Sequence, residues 1–328
     1  MIKQTTYAAI GAALTLATPA VARDPILRQP IACTLGETCY VQQYVDHDAS
    51  SGTSDFRCSK LTYDGHKGTD FGLYSLADQA AGVDVLAAAP GTVVATRNHM
   101  PDILSNAPDA PSVDGVECGN GLVIRHGDGW ETQYCHMMQD SIIVSKGDRV
   151  AADTVLGQVD LSGRTEFPHL HLSVRHRGTV IDPFDADGGI SCTNNTETTL
   201  WEDPITYVPG GILAVGFSEE VPAFDDIKAG GAHETTLVAN AASLVAWGFA
   251  YGGQVADTMA ITITGPDGTI LYEGENTLER NQAQFFRAGG KRLRANAWPT
   301  GRYSAIIKLI RDGEILDQSQ TEMTVERP

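Results

Sequence analysis

The chain has 328 residues, 42% of them hydrophobic, which is enough for two folded units with ordinary cores and excludes a disordered protein. Its formal net charge of -18 and the lack of any long basic run exclude a phosphate-backbone partner, so no nucleic acid is expected.

Residues 1–22 read as a signal peptide: Lys3 supplies the positive end, Tyr7 to Thr18 a short apolar stretch, and Ala20-Val21-Ala22 a small-residue cleavage site. The mature chain is then expected to start near Arg23, in the periplasm or outside the cell. The stretch is too short for a good membrane span, and no later segment has the ~20 consecutive apolar residues that spanning needs. No stable membrane span is expected after signal removal. Six cysteines (Cys33, Cys39, Cys58, Cys118, Cys135 and Cys192) form an even set that an oxidising compartment turns into disulfides, with Cys33 to Cys39 the favoured local bridge. No C-x-x-C pair supports a cysteine zinc cluster.

Residues 23–60 form a polar, disulfide-bearing lead-in segment containing Asp46-His47-Asp48 and an exposed Ser-Ser-Gly-Thr-Ser stretch. Residues 61–192 follow as short β-type runs. Val83 to Ala88 and Thr92 to Thr96 predict a hairpin across Pro90-Gly91. Leu122 to His126 and Glu131 to Tyr134 predict a second across Gly127-Asp128-Gly129, whose Asp-Gly step suits the positive backbone angles of a tight turn. Between them Asn98 to Val116, rich in Asp, Pro and Ser, reads as a surface insertion placed to border a groove. Lys146-Gly147-Asp148 and Val155 to Val159 continue the rhythm. Helical periodicity is weak, so the predicted fold class is mostly β, with a compact antiparallel domain here. A linker at 193–207 leads to residues 208–328, with candidate strands at Gly211 to Phe217, Thr235 to Ala239, Ala260 to Thr264, Gln282 to Phe286, Tyr303 to Ile310 and Thr321 to Val325. Pro266-Asp267-Gly268 makes a turn between two of them, and the spacing predicts a small β-sandwich.

The chemistry lies in the histidines. Alternate strand residues share a face, so His169-Leu170-His171 presents two imidazoles together. His66-Lys67-Gly68-Thr69-Asp70 adds a nitrogen and an oxygen donor, with Gly68 expected to let the backbone bend so that both converge. Two imidazoles and a carboxylate leave a fourth position open, the arrangement of a catalytic rather than a structural zinc site. His47, His99, His126, His176 and His233 belong to no comparable constellation. Cys135 beside His136 is expected to be bridged rather than nucleophilic.

These pieces in order, His66 to Phe71, then Tyr134-Cys135-His136, then Pro168-His169-Leu170-His171, resemble the lysostaphin and LytM type zinc endopeptidases of peptidoglycan. Asn120-Gly121, Lys146-Gly147-Asp148 with Val150, Leu156-Gly157 and Asp182-Pro183 agree with that resemblance, which covers Tyr63 to Phe184. It implies a compact antiparallel β domain with Zn2+ at the floor of a groove, held by His66, Asp70 and His171, with His136 and His169 as non-ligand catalytic histidines. The implied activity is hydrolysis of peptide bonds in peptidoglycan stem peptides or cross-links. Ser162 to Phe167 departs from the family pattern in lacking Gly-rich character. Two other readings stand beside this one: a catalytically silent module that binds peptidoglycan or activates an amidase, and a protease on Gly-rich proteins. The C-terminal unit holds only His233, shows no catalytic cluster, and its protein partner is not assigned.

Overall fold

A computed structural model describes residues 24–188 and 198–328. The expected signal peptide and its cleavage site, Cys192 and the first residues of the expected linker lie outside the described residues. The first part of the chain runs β1 (Cys39–Gln43), β2 (Thr69–Leu73), a short helix α1 (Leu76–Ala80), β3 (Asp84–Leu86), β4 (Gly91–Arg97), β5 (Asn120–Gly127), β6 (Trp130–Met137), β7 (Arg149–Val150), β8 (Val155–Gln158), β9 (His169–His176) and β10 (Thr179–Ile181). One antiparallel sheet takes the order β1-β2-β9-β6-β5-β4-β7 with β10 added to β9, and β3 and β8 make a separate pair.

The β5–β6 hairpin forms as the sequence predicts, with positive φ at Gly127, Asp128 and Gly129 (100°, 45° and 86°). The Val83 to Thr96 hairpin does not form. β3 pairs with β8, whereas β4 pairs with β5 and β7. The reason lies in Ala87, Ala88 and Ala89, all at most 2% exposed, which carry the chain through the core between the two sheets. Small side chains make that crossing possible, and its backbone donors are satisfied by Thr154 O and by the Tyr134 hydroxyl at 2.8 Å. The lead-in segment is more than a tether, because β1 is buried throughout and extends the main sheet beside β2. Disulfides join Cys33 to Cys39, as favoured from their spacing, and Cys118 to Cys135; Cys58 is disulfide-bonded too.

The second part contains β11 (Gly211–Ser218), α2 (Phe224–Ala229), β12 (Thr236–Val238), β13 (Ser243–Gly253), β14 (Thr258–Thr264), β15 (Ile270–Thr277), β16 (Gln282–Arg292), β17 (Gly301–Arg311) and β18 (Glu314–Glu326). A three-stranded sheet, β11-β13-β16, packs on a five-stranded one, β12-β18-β17-β14-β15, and the Pro266-Asp267-Gly268 turn joins β14 to β15. β13 and β15 add to the strands that the sequence suggests. β13 has a particular structural role. Leu244, Ala246 and Ala250 enter the sandwich core, while Trp247, Phe249 and Tyr251 on its other face join the core of the first part. A strand buried on both faces loses the apolar and polar alternation that marks an ordinary strand. It also fastens the two parts together, at roughly 1.5–3 kcal/mol for each large side chain buried.

Candidate metal centre and substrate groove

Three neighbouring strands set the site. In the β2–β9 register Asp70 lies opposite His171 and Gly72 opposite His169, so the carboxylate and both imidazoles share one face of the sheet. Phe71 and Leu170, pointing the other way, are fully buried in the core. His66 arrives on the turn before β2. Its ring Nδ1 donates to Tyr44 O at 2.7 Å, which turns Nε2 towards Asp70 and His171, and the Tyr63 and His66 ring centroids are 4.4 Å apart.

The donor atoms converge as the spacing predicts. Asp70 Oδ1 lies 3.2 Å from His66 Nε2 and 2.8 Å from His171 Nδ1, and the two ring nitrogens are 3.2 Å apart. Ligands about 2.0–2.2 Å from a tetrahedral zinc lie about 3.3 Å from one another, so this donor set fits such an ion with little adjustment. Among the described residues it is the only group of three or more His, Cys, Asp or Glu side chains close enough to share a metal. His66 and Asp70 are buried, and the His171 side chain is 16% exposed.

Gly68 serves a different purpose from the one the sequence suggests. It has no positive φ; instead, a Cβ there would meet His171 Nε2 at 2.5 Å and Leu172 O at 2.7 Å. The missing side chain makes room for the His171 ring.

Burial pushes the Asp70 carboxyl up, but the charges of His66 and His169 and hydrogen bonds from His171 and His66 outweigh it and hold the group well below the usual carboxylate range. Burial pulls His66 down, and Asp70 raises it above the usual imidazole value.

His136 and His169 lie beside this cluster, their rings 4.6 Å apart and His136 6.0 Å from His171. Burial holds both below the ordinary imidazole pKa, with neighbouring histidines adding to the effect and His136 the more strongly lowered. The Nδ1 of His136 donates to Ser162 O at 2.8 Å, and that of His169 to Phe167 O at 3.0 Å. Each ring therefore keeps its Nε2 as a proton acceptor. The carbonyls doing this belong to the Ser162 to Phe167 stretch, where the sequence departs from the family pattern.

His136 reaches the site through a backbone turn that no spacing rule predicts. Cys135 lies opposite His171, so regular strand geometry would aim the next side chain away. Instead His136 takes φ 62°, with its amide donating to Cys118 O and its carbonyl accepting from Asp160 N, both at 2.9 Å. The Cys118–Cys135 disulfide ties the same two segments. Left-handed backbone at a bulky residue costs free energy and needs such support.

A groove of about 740 Å³ opens over Asp70, His136 and His169. Ser105 and Asn106 of the Asn98 to Val116 insertion border it, as expected from the sequence. Gln43, Tyr63 and a wall from the second part of the chain also line it, and sequence reasoning missed these because they lie outside the motifs. A larger cleft of about 1070 Å³ between the lead-in segment and the second part touches none of the five site residues. None of the other histidines joins the cluster: His47 pairs with Asp182, His99 with Asp140, His126 bonds Pro90 O, His176 stacks on Trp130, and His233 accepts from Phe217 N.

Residues 64–183, which carry this whole cluster, match the model of Peptidase family M23. That segment is a Peptidase family M23 domain. Over 122 residues the chain is 33% identical to the peptidoglycan DD-endopeptidase ShyA of Vibrio cholerae, a match covering 37% of this chain and 23% of ShyA. ShyB of the same organism, also a peptidoglycan DD-endopeptidase, is 32% identical over 137 residues, 41% of this chain and 26% of ShyB. The chain thus spans about a quarter of the length of these relatives. Among solved structures, the catalytic domain of the antimicrobial peptidase lysostaphin from Staphylococcus simulans is 23% identical, with 36% of this chain and 76% of that one covered and a TM-score of 0.26. No described helix is long and apolar enough to cross a membrane.

Proposed function

We propose that the protein is an exported zinc metalloendopeptidase that hydrolyses peptide bonds in peptidoglycan stem peptides or cross-links. The observation that carries this reading is the convergence of His66, Asp70 and His171 donor atoms within 3.2 Å, with two further histidines set as proton acceptors beside them. His66 Nε2, Asp70 Oδ1 and His171 Nδ1 would hold the zinc, which supplies Lewis acidity that lowers the pKa of water towards ~7 and polarises a carbonyl.

The protein's own groups do the rest. Hydrogen bonds to Tyr44 O, Ser162 O and Phe167 O fix the tautomers of His66, His136 and His169, so no proton shift is needed before substrate binds. One of the two non-ligand histidines, His136 or His169, accepts a proton at Nε2 from the attacking water as the new C–O bond forms. As an imidazolium it donates to the developing oxyanion and then passes that proton to the leaving amine as the C–N bond breaks, returning to the neutral imidazole. Similarity to the two Vibrio endopeptidases supports peptidoglycan as the substrate, and the signal-like N-terminus supports a periplasmic or extracellular site of action.

Metal content and muropeptide release from purified peptidoglycan test the reading. The wild type is expected to hold about one zinc per chain and to release new muropeptides. His66→Ala loses both metal and activity, and His169→Ala keeps the metal while losing activity. A wild type that binds no zinc, or one that binds zinc and releases nothing, sinks the assignment.

A further inference from the structure

The groove over the donor cluster is not built by residues 64–183 alone. Gln43 of β1 lines it too, and Phe224 and Lys228 of α2 with residues 280–284 line it together with His136 and His169. That second wall is held in place without a ligand: Gln42 Nε2 donates to Ala283 O at 2.9 Å, Gln284 Nε2 donates to the Tyr40 hydroxyl at 2.8 Å, and the Tyr40 and Tyr251 rings pack at 4.4 Å. A preformed wall lowers the ordering cost of binding.

Two features of the groove lack partners. Arg164 is paired with Asp114 at 2.7 Å and Lys228 with Asp225 at 2.9 Å, but Arg280, exposed at the start of the wall, makes no ion pair among the described residues. In a chain of net charge -18, an exposed guanidinium without an ion pair on the lining of this groove is placed to draw an anion. Gln43 is 9% exposed, lies opposite Asp70 in the β1–β2 register, and its Oε1 is buried with no hydrogen-bond partner. A buried acceptor left without a donor costs folding free energy until something fills it.

Building on the peptidase reading above, we propose that β1 and the C-terminal unit form a peptide-binding subsite of this groove. Arg280 takes a free carboxylate of the substrate peptide, and Gln43 accepts a backbone N–H beside the scissile bond. The C-terminal unit is then a specificity element, fixed to the metal centre by the core that β13 shares with the first part.

The test uses the full mature chain and two synthetic cross-linked stem peptides, identical except that the side carboxylates are free in one and primary amides in the other. The wild type should favour the free form by at least about tenfold in kcat/KM, the size of one charge-assisted hydrogen bond. Arg280→Ala should bring that ratio close to one, Arg280→Lys should restore part of it, and Arg292→Ala, at the far end of β16 and outside the groove, should keep it. Gln43→Ala should lower kcat/KM for both peptides by the same factor with zinc retained. A wild-type ratio near one, or a ratio that survives Arg280→Ala, overturns the Arg280 assignment, and an unchanged Gln43→Ala overturns the other. If the zinc-loaded wild type cuts neither peptide, the hydrolase reading fails, and calorimetric titration of the same two peptides decides the subsite. A preference for free carboxylates that Arg280→Ala abolishes supports it, and equal affinities overturn it.

Discussion

The two halves of the chain are both β, yet they bury different things. In the first, the interior holds His66, Asp70, His136, His169, Asp160 and Asp182, along with several hydroxyls and amides. In the second, the buried polar residues among those described are Ser218 and Asp257, and each has its partner: Ser218 Oγ donates to Glu220 O, and Asp257 is held by Arg311 at 2.7 Å. Burying a polar group is costly unless its bonds are met, so their concentration in the first half marks where folding stability has been given up to hold the donor cluster and its surroundings. The other sheet pair supplies packing and one wall of the groove.

By that division, a core deletion in the sandwich should reach stability without reaching the donor cluster. Ile307 is fully buried, and its Cγ2 lies against Gly248 in the sandwich core. Ile307→Ala should cost about 2–5 kcal/mol in chemical denaturation, with zinc stoichiometry of the folded fraction unchanged. Loss of zinc from folded Ile307→Ala protein would break the comparison.

The reverse experiment belongs at Gly68. Its added methyl would collide with His171 Nε2 and with the Leu172 carbonyl, a backbone atom that cannot step aside. Gly68→Ala should weaken zinc about 10- to 100-fold, as expected when support for a metal-bound histidine is disturbed, with a smaller stability cost of about 1–3 kcal/mol from overpacking. Competition with a chromophoric chelator reads the first, and melting of the metal-free protein the second. Zinc affinity equal to wild type would show that the close approach of Gly68 to His171 is incidental.

The donor cluster was legible in the sequence because its determinants are local. A two-residue repeat in β9 places His169 and His171 on one face, and a three-residue gap brings His66 to Asp70. The Asp128-Gly129 hairpin was legible for the same reason. What stayed hidden depends on distant partners. The left-handed turn at His136 exists because Cys118 and Asp160 hold it, and Gly68 is required by a ring from β9. β3 finds its partner in β8 only after the chain crosses the core, and β13 lacks alternation because it serves two cores. The wall at Arg280 comes from a part of the chain with no motif.

The smallest expected effect sharpens the contrast through pH. His47 Nε2 and Asp182 Oδ2 are 2.7 Å apart, with side chains 9% and 1% exposed, and they tie the lead-in segment to the end of β10. Burial pulls His47 down, but the hydrogen bond and charge of Asp182 outweigh it and raise the imidazole above its usual value. Burial raises Asp182 too, with His47 and the Phe184 amide offsetting only part of it. A folded pKa above the unfolded one adds stability that is complete below the unfolded value, about 6.5 for histidine, and disappears as pH rises through the folded value. The two groups act with the same sign. The stability advantage of wild type over His47→Gln should therefore be largest on the acid side of pH 6.5, on the order of 1 kcal/mol for one hydrogen bond, and should shrink as the solution is made alkaline. The Arg311–Asp257 pair of the second half contains no imidazole, so Arg311→Gln should produce a gap that stays level over the same range. Denaturation midpoints of the three proteins between pH 5.5 and 9 decide the matter: a His47→Gln gap that is flat or widens with pH would remove the titrating contact from the list of what distinguishes the two halves.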